Sequence, residues 1–166
     1  MTFNGTILEP CCGDGAMADV LRETGNEIVA SDIVDRGYGG VADFLTIRKH
    51  YANVVTNPPF NIAETLLIHA LSIAEQKVCF LLRTAFLESR RRWKLFYNEM
   101  PPTRLLVFSE RLSMYPSGST VEGGGTTSYA WFVWDKAEPV TETRITWIAP
   151  GMKAANAAPD LLAAIK

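Results

Sequence analysis

The stretch Tyr51-Ala-Asn-Val-Val-Thr-Asn57-Pro58-Pro59-Phe60 joins an apolar, β-prone run to a segment of helical periodicity that extends from Asn61 to Glu75. Two adjacent prolines each fix φ at about −65° and remove a backbone donor. The residue before a proline is pushed out of the helical region toward extended backbone. The stretch therefore reads as a strand, a stiff corner at its carboxyl end, and a helix. The corner displays an amide side chain (Asn57), carbonyls with no competing donors, and an aromatic face (Phe60). Acceptors beside a π-surface are what is needed to hold a flat ring that carries an NH2 group.

The same alternation runs outward in both directions. Upstream, Thr6-Ile-Leu8 is a short apolar run broken by Glu9-Pro-Cys-Cys-Gly-Asp-Gly15. A helical pattern follows from Ala16 to Thr24 and stops at Gly25. A second strand, Glu27 to Ser31, ends at Asp32, and Val41 to Phe44 is a short extended piece. Downstream, strands are expected at Lys77–Leu82, Arg104–Phe108, Ser128–Trp134 and Arg144–Ile148. A helix over Thr84–Asn98 is closed by Pro101-Pro102. Strands alternating with helices imply an α/β fold with a mostly parallel, doubly wound sheet. The last strands follow one another with no helix between them, so the sheet is expected to end in an antiparallel C-terminal hairpin. One domain over residues 1–150 is expected, then a linker and short helix over 151–166, with no separate target-recognition domain.

The totals exclude several classes. The chain has 166 residues, 48% hydrophobic and 20% charged, which suits a single core. A net charge of −2 means that any nucleic-acid contact has to come from a local patch. No apolar run approaches the ~18 residues of a membrane span, and Met1-Thr-Phe-Asn-Gly5 lacks the character of a leader, so the cytoplasm is the expected compartment. Cys11, Cys12 and Cys79 form neither a disulfide framework nor a metal-ligand spacing. His50 and His69 read as a solvated turn residue and a packed helix residue.

Gly13 and Gly15 let the loop after the first strand turn tightly and approach a ligand. The loop sits at the carboxyl end of a parallel strand, where open α/β sheets bind ligands. It is not the Gly-x-Gly-x-x-Gly fingerprint, since residue 18 is Ala, and the phosphate loop ending in Gly-Lys-Ser/Thr is absent. Glu9 beside the loop argues against a phosphate and for a ligand bearing positive charge, such as an α-amino or sulfonium group. Asp32 is placed to reach ribose hydroxyls. Asp43-Phe44 offers an acceptor and an apolar neighbour for an exocyclic amine.

Taken in order, the loop, Asp32, Asp43 and Asn57 to Phe60 resemble the class I S-adenosylmethionine-dependent methyltransferases. Within these the chain is similar to the small phage and prophage enzymes that methylate N6 of adenine in DNA, over most of its length, from Ile7 to about Trp134. The resemblance implies a Rossmann-like fold and S-adenosylmethionine as cofactor. It places Glu9, Pro10, Cys11, Gly13 and Gly15 around the methionine part, Asp32 and Ile33 at the ribose, and Asp43 and Phe44 at the adenine. Asn57, Pro58, Pro59 and Phe60 become the catalytic motif, with Asn57 also facing the cofactor. RNA or a protein glutamine is the alternative methyl acceptor, and a catalytically silent binding subunit the alternative class.

The chain departs from the larger members in having no sizeable recognition region, and residues 1–5 are too short for a helix before the first strand. DNA, duplex or single-stranded, is the expected partner. The oligomeric state is left open, a homodimer among the options. Arg83, Arg90, Arg91, Arg92 and Lys94, with Trp93 and Tyr97 among them, form a basic cluster that Arg104 and Arg111 extend. The polar loop Ser109–Thr127, with Tyr115, is expected to close over substrate.

Overall fold

The computed structural model describes residues 1–112 and 127–150. Its frame is an eight-stranded sheet. The strands are β1 (Ile7–Glu9), β2 (Ile28–Asp32), β3 (Gly40–Val41), β4 (Tyr51–Thr56), β5 (Ala74–Arg83), β6 (Arg104–Phe108), β7 (Tyr129–Asp135) and β8 (Arg144–Ile148). They lie in the order β3-β2-β1-β4-β5-β7-β6-β8. The first five run parallel, in register through pairs such as Leu8 with Val29 and Val54, and Val55 with Cys79.

The expected antiparallel hairpin is β6 with β7. β7 slots between β5 and β6 and runs opposite to both, with Phe132 paired to Phe80 on one side and to Leu105 on the other. β8 then adds parallel to β6 at the sheet edge. Residues 113–126 and 151–166, which include the expected loop residue Tyr115 and the expected terminal helix, lie outside the described residues.

The central strands are buried on both faces, which is why they read as continuous apolar runs rather than alternating ones. On one face Leu8, Val54, Val78, Phe80, Phe132 and Trp134 pack under α2 (Ala63–Ile73), which buries Leu66, Leu67 and Ala70, and against Phe96. On the other face Ile7, Val55, Cys79, Leu81 and Trp131 form a second cluster with Leu21 of α1 (Ala16–Arg22). Trp131, Phe80 and Phe132 are fully buried, each worth roughly 2–3 kcal/mol of transfer free energy.

α2 passes into β5 with no connecting residue: the helix ends at Ile73 and the strand begins at Ala74. Helix carbonyls left open at such a junction need a donor. Lys136 supplies it, bonding the carbonyls of Leu71 and Ala74 from the far end of β7.

The helix expected over Thr84–Asn98 is broken. A 3-10 turn, Thr84–Leu87, is followed by extended backbone at Ser89, whose hydroxyl caps the amide of Arg92. The helix restarts as α3 (Arg90–Arg92) and continues with π winding over Trp93–Glu99. Serine favours such a cap over a helix interior, and a 3.6-residue periodicity does not register the interruption. No helix among the described residues is long and apolar enough to cross a membrane.

Candidate functional site

Because β1, β2 and β4 are parallel neighbours, their last residues Glu9, Asp32 and Thr56 come to one edge of the sheet, with β1 in the middle. The glycine loop and the Asn57 corner leave adjacent strands at that edge. Sequence positions almost fifty residues apart thus become two walls of one site.

The loop after β1 is pinned by three backbone contacts. The Cys12 amide donates to the Ser31 carbonyl at 2.9 Å, the Gly15 amide donates to the Cys12 carbonyl at 2.8 Å, and the Gly13 amide donates to Asp32 Oδ2 at 2.9 Å. Gly13 and Gly15 have φ of 57° and 92°, backbone that a residue with a Cβ adopts only with strain. Asp32 Oδ1 also accepts from the Val34 amide at 3.0 Å. The aspartate expected at the ribose is therefore also the tie between loop and second strand, with lone pairs remaining on each oxygen. Beside it Ile33 and Val34 are exposed.

Sequence reasoning missed Tyr38. Its ring lies over Gly15, where a Cβ would overlap it. Its hydroxyl donates to Asp19 at 2.6 Å and bonds Arg22, both on α1. The Cys12 thiol donates to its carbonyl at 3.7 Å. The segment after β2 is thereby strapped across the glycine loop. Nothing local marks it, because each partner is at least sixteen residues away.

Glu9 is 1% exposed and its Oε2 has no hydrogen-bond partner. Burial pushes its carboxyl from 4.5 up to about 8, partly offset by the Arg22 guanidinium. Burial likewise lifts the half-buried Cys11 thiol to about 11 and the Cys12 thiol above its ordinary value. These cysteines are neutral packing residues at neutral pH rather than nucleophiles.

Asp43 and Phe44 are separated by the fold. Asp43 is exposed, and its carboxylate caps the 3-10 turn Phe44–Thr46 by accepting from the Leu45 amide at 2.9 Å. Phe44 is 3% exposed and meets His69 edge to face at 4.9 Å between centroids. Its ring belongs to the core beneath α2. Apolar side chains exposed at that edge include Ile33, Val34 and Val41 at the end of β3.

At the corner, Pro58 is buried and Pro59 exposed. Asn57 Oδ1 is buried without a hydrogen-bond partner. Among the described residues no backbone donor reaches the Pro58 carbonyl. An orphaned buried acceptor costs roughly 1–3 kcal/mol, and such groups in folded proteins ask for an explanation. Phe60, half-buried, stands 5.9 Å from the Tyr129 ring, and the Arg83 guanidinium lies 4.8 Å from its centroid.

The basic cluster divides in two. Arg92 turns inward, donating to the Phe86 and Glu88 carbonyls and lying over the Phe86 ring at 4.4 Å. Arg91 pairs with Glu64 of α2 at 2.9 Å. Arg104 pairs with Glu138 at 2.8 Å, at the amino end of β6, away from the corner. Arg83, at the carboxyl end of β5, is exposed, as are Arg90 in α3 and Arg111 on the segment after β6.

No protein-family model matches this sequence, and no curated protein matches it either. Solved structures match the fold. A predicted O-methyltransferase from Agrobacterium tumefaciens superposes with a TM-score of 0.53 at 14% identity, over 87% of this chain and 78% of that one. A dimethyladenosine transferase from Plasmodium falciparum gives 0.51 at 13%, over 81% and 57%. DNMT2 from Spodoptera frugiperda gives 0.54 at 16%, over 89% and 56%. At these identities the likeness is one of architecture: the chain shares the Rossmann-like fold of these methyltransferase structures.

Proposed function

We propose that this chain is an S-adenosylmethionine-dependent methyltransferase that acts on the exocyclic N6 of adenine in DNA. The observation that carries the reading is the buried, unpartnered Asn57 Oδ1 at the carboxyl end of β4, with Phe60 three residues on. The residues on β1 and β2 fit the cofactor. Glu9 offers a buried carboxylate oxygen with no partner, which suits an ammonium group. Gly13, where a Cβ would meet open space, allows close approach, and Asp32 has acceptor capacity left for ribose hydroxyls.

When bound, S-adenosylmethionine supplies a methyl group on a sulfonium leaving centre. The chain's own residues prepare the amine. An exocyclic amine is a poor nucleophile because its lone pair is delocalised into the ring. Asn57 Oδ1 and the Pro58 carbonyl accept its two N–H bonds, which favours the pyramidal nitrogen on which positive charge develops. That preference exists in the transition state and not in the flat ground state, so it lowers the barrier. The amine loses its proton to solvent after transfer. Phe60 gives the base a face to stack on, offsetting part of the few kcal/mol needed to take it out of a helix. Arg83, against Phe60, puts positive charge where a phosphate backbone would pass.

The test is incubation with labelled S-adenosylmethionine and duplex DNA, single-stranded DNA, RNA and protein in separate arms, followed by nucleoside and amino-acid analysis. Label in N6-methyladenine from DNA, lowered roughly 100- to 1,000-fold by Asn57→Ala, is the expected result. Label confined to RNA or to glutamine, or no transfer in any arm, would overturn the reading.

A further inference from the structure

We propose that the turn Arg90–Lys94 is a docking surface for single-stranded DNA, with Trp93 stacking on an unpaired base that flanks the target. The inference rests on the reading of the Asn57 corner as a site that receives a nucleobase. It adds which form of nucleic acid the chain engages and through which side chain.

Trp93 is 62% exposed. A tryptophan left in water forgoes a large burial free energy, and this one stands among cations. Arg90, Arg91 and Lys94 are all exposed around it, at spacings of three, two and one residues. Residues 89–98 include no carboxylate, and the exposed Glu88 and Glu99 that flank them, together with Glu64, leave the four cations Arg90, Arg91, Arg92 and Lys94 one charge in excess. Among the described residues neither Arg90 nor Lys94 has an acidic partner, whereas Arg91 is held by Glu64. The face therefore carries net positive charge on a chain whose sum is −2.

The surface is continuous with the corner. Glu64, which takes Arg91, is in the first turn of α2, four residues after Phe60. Arg83, over the Phe60 ring, ends the strand that leads into Thr84–Leu87 and α3. Arg92 locks that connection by bonding the carbonyls of Phe86 and Glu88, and Tyr97 adds a bond to the Phe86 carbonyl at 2.8 Å. The platform is thus fixed relative to the corner rather than hung on a loose loop.

An indole face can stack only on a base whose own face is free, which a duplex hides and a single strand offers. Cations on either side of the ring suit a strand that stacks and runs past. A second copy of this chain is the poorer occupant, because like charges would meet across the interface.

The experiment uses the full chain carrying Trp147→Phe, so that Trp93 is the one exposed indole among the described residues. The probes are an oligothymidylate and an oligouridylate of about ten nucleotides, a length within the range of small single-strand sites. Neither contains adenine, so binding is read independently of methyl transfer. Indole fluorescence should be quenched on binding. Read by fluorescence anisotropy of the end-labelled oligonucleotide, which does not depend on the indole, Trp93→Ala should weaken binding about tenfold, and Arg90→Ala with Lys94→Ala should flatten the slope of log K against log salt by about 1.4. A duplex of the same length should bind at least about tenfold more weakly. Trp93-dependent binding of the oligothymidylate supports the proposal, and Trp93-dependent binding of the oligouridylate alone overturns it.

Unchanged oligonucleotide affinity in Trp93→Ala, or preference for the duplex, overturns it. Trp93-dependent binding with no transfer to adenine would leave this inference standing while the N6 reading fell. Transfer to adenine with kcat/KM unaltered in Trp93→Ala would do the reverse.

Discussion

Replacing Glu9 by glutamine should change how the stability of the free protein depends on pH, and the structure fixes both sign and size. The carboxyl is 1% exposed, one oxygen has no partner, and burial carries it from 4.5 to about 8. The native state therefore holds a proton that the unfolded chain releases. The stabilising contribution is full below the unfolded value of 4.5 and is lost as pH rises through about 8. Each tenfold difference in proton affinity between the folded and unfolded chain is worth ~1.4 kcal/mol. From about pH 5.5 to about pH 7.5 the wild type should therefore lose roughly 2–3 kcal/mol relative to Glu9→Gln. That is a substantial part of the ~5–15 kcal/mol by which domains are stable.

Urea titrations of both proteins at several pH values measure it, the histidines cancelling in the comparison. Parallel midpoints across the range would refute the reasoning, since Glu9 would then be ionised in the free fold. A ligand that brings an ammonium group to Glu9 draws the proton off. Affinity for S-adenosylmethionine, followed by calorimetry, should accordingly rise over this range in the wild type and stay level in Glu9→Gln.

Two further outcomes follow from the same edge of the sheet. Gly15→Ala should destabilise the fold by roughly 2–4 kcal/mol, combining a φ of 92° with overlap of the Tyr38 ring. Adding Tyr38→Ala should return the part due to overlap, so a double-mutant cycle that is strictly additive would rule out the strap. At about pH 8 an aromatic disulfide reagent should label the native protein slowly, because burial raises Cys11 to about 11, Cys79 to about 12 and Cys12 in the same direction. All three thiols should react at once in denaturant, and a fast native phase would contradict the burial of these groups.

Local chemistry made some elements plain from the residues. Arg104–Phe108 and Arg144–Ile148 were legible to the residue, because an uninterrupted β-prone run between turn signals has one reading. The stop of α1 near Gly25 was legible for the same kind of reason: its φ of 78° suits glycine. The break at Ser89 was not legible, since a cap and a helix interior use the same residue type and Arg92 contributes by reaching back to Phe86.

The sequence by itself determined that a glycine loop, Asp32, Asp43 and a proline-stiffened amide corner follow strand ends in this order, because prolines, glycines and apolar runs act on their own backbone. The tertiary structure alone decided what those residues do to one another. Parallel pairing of β1 with β2 and β4 brings Glu9, Asp32 and Asn57 to one edge. Packing under α2 turns Phe44 into core, and the fold sets Tyr38 over Gly15 and Arg83 over Phe60. Burial and long-range contact depend on which surfaces meet, and so does the charge of Glu9: the same carboxyl is an ordinary acid in an open chain and holds its proton to about pH 8 once the sheet closes around it.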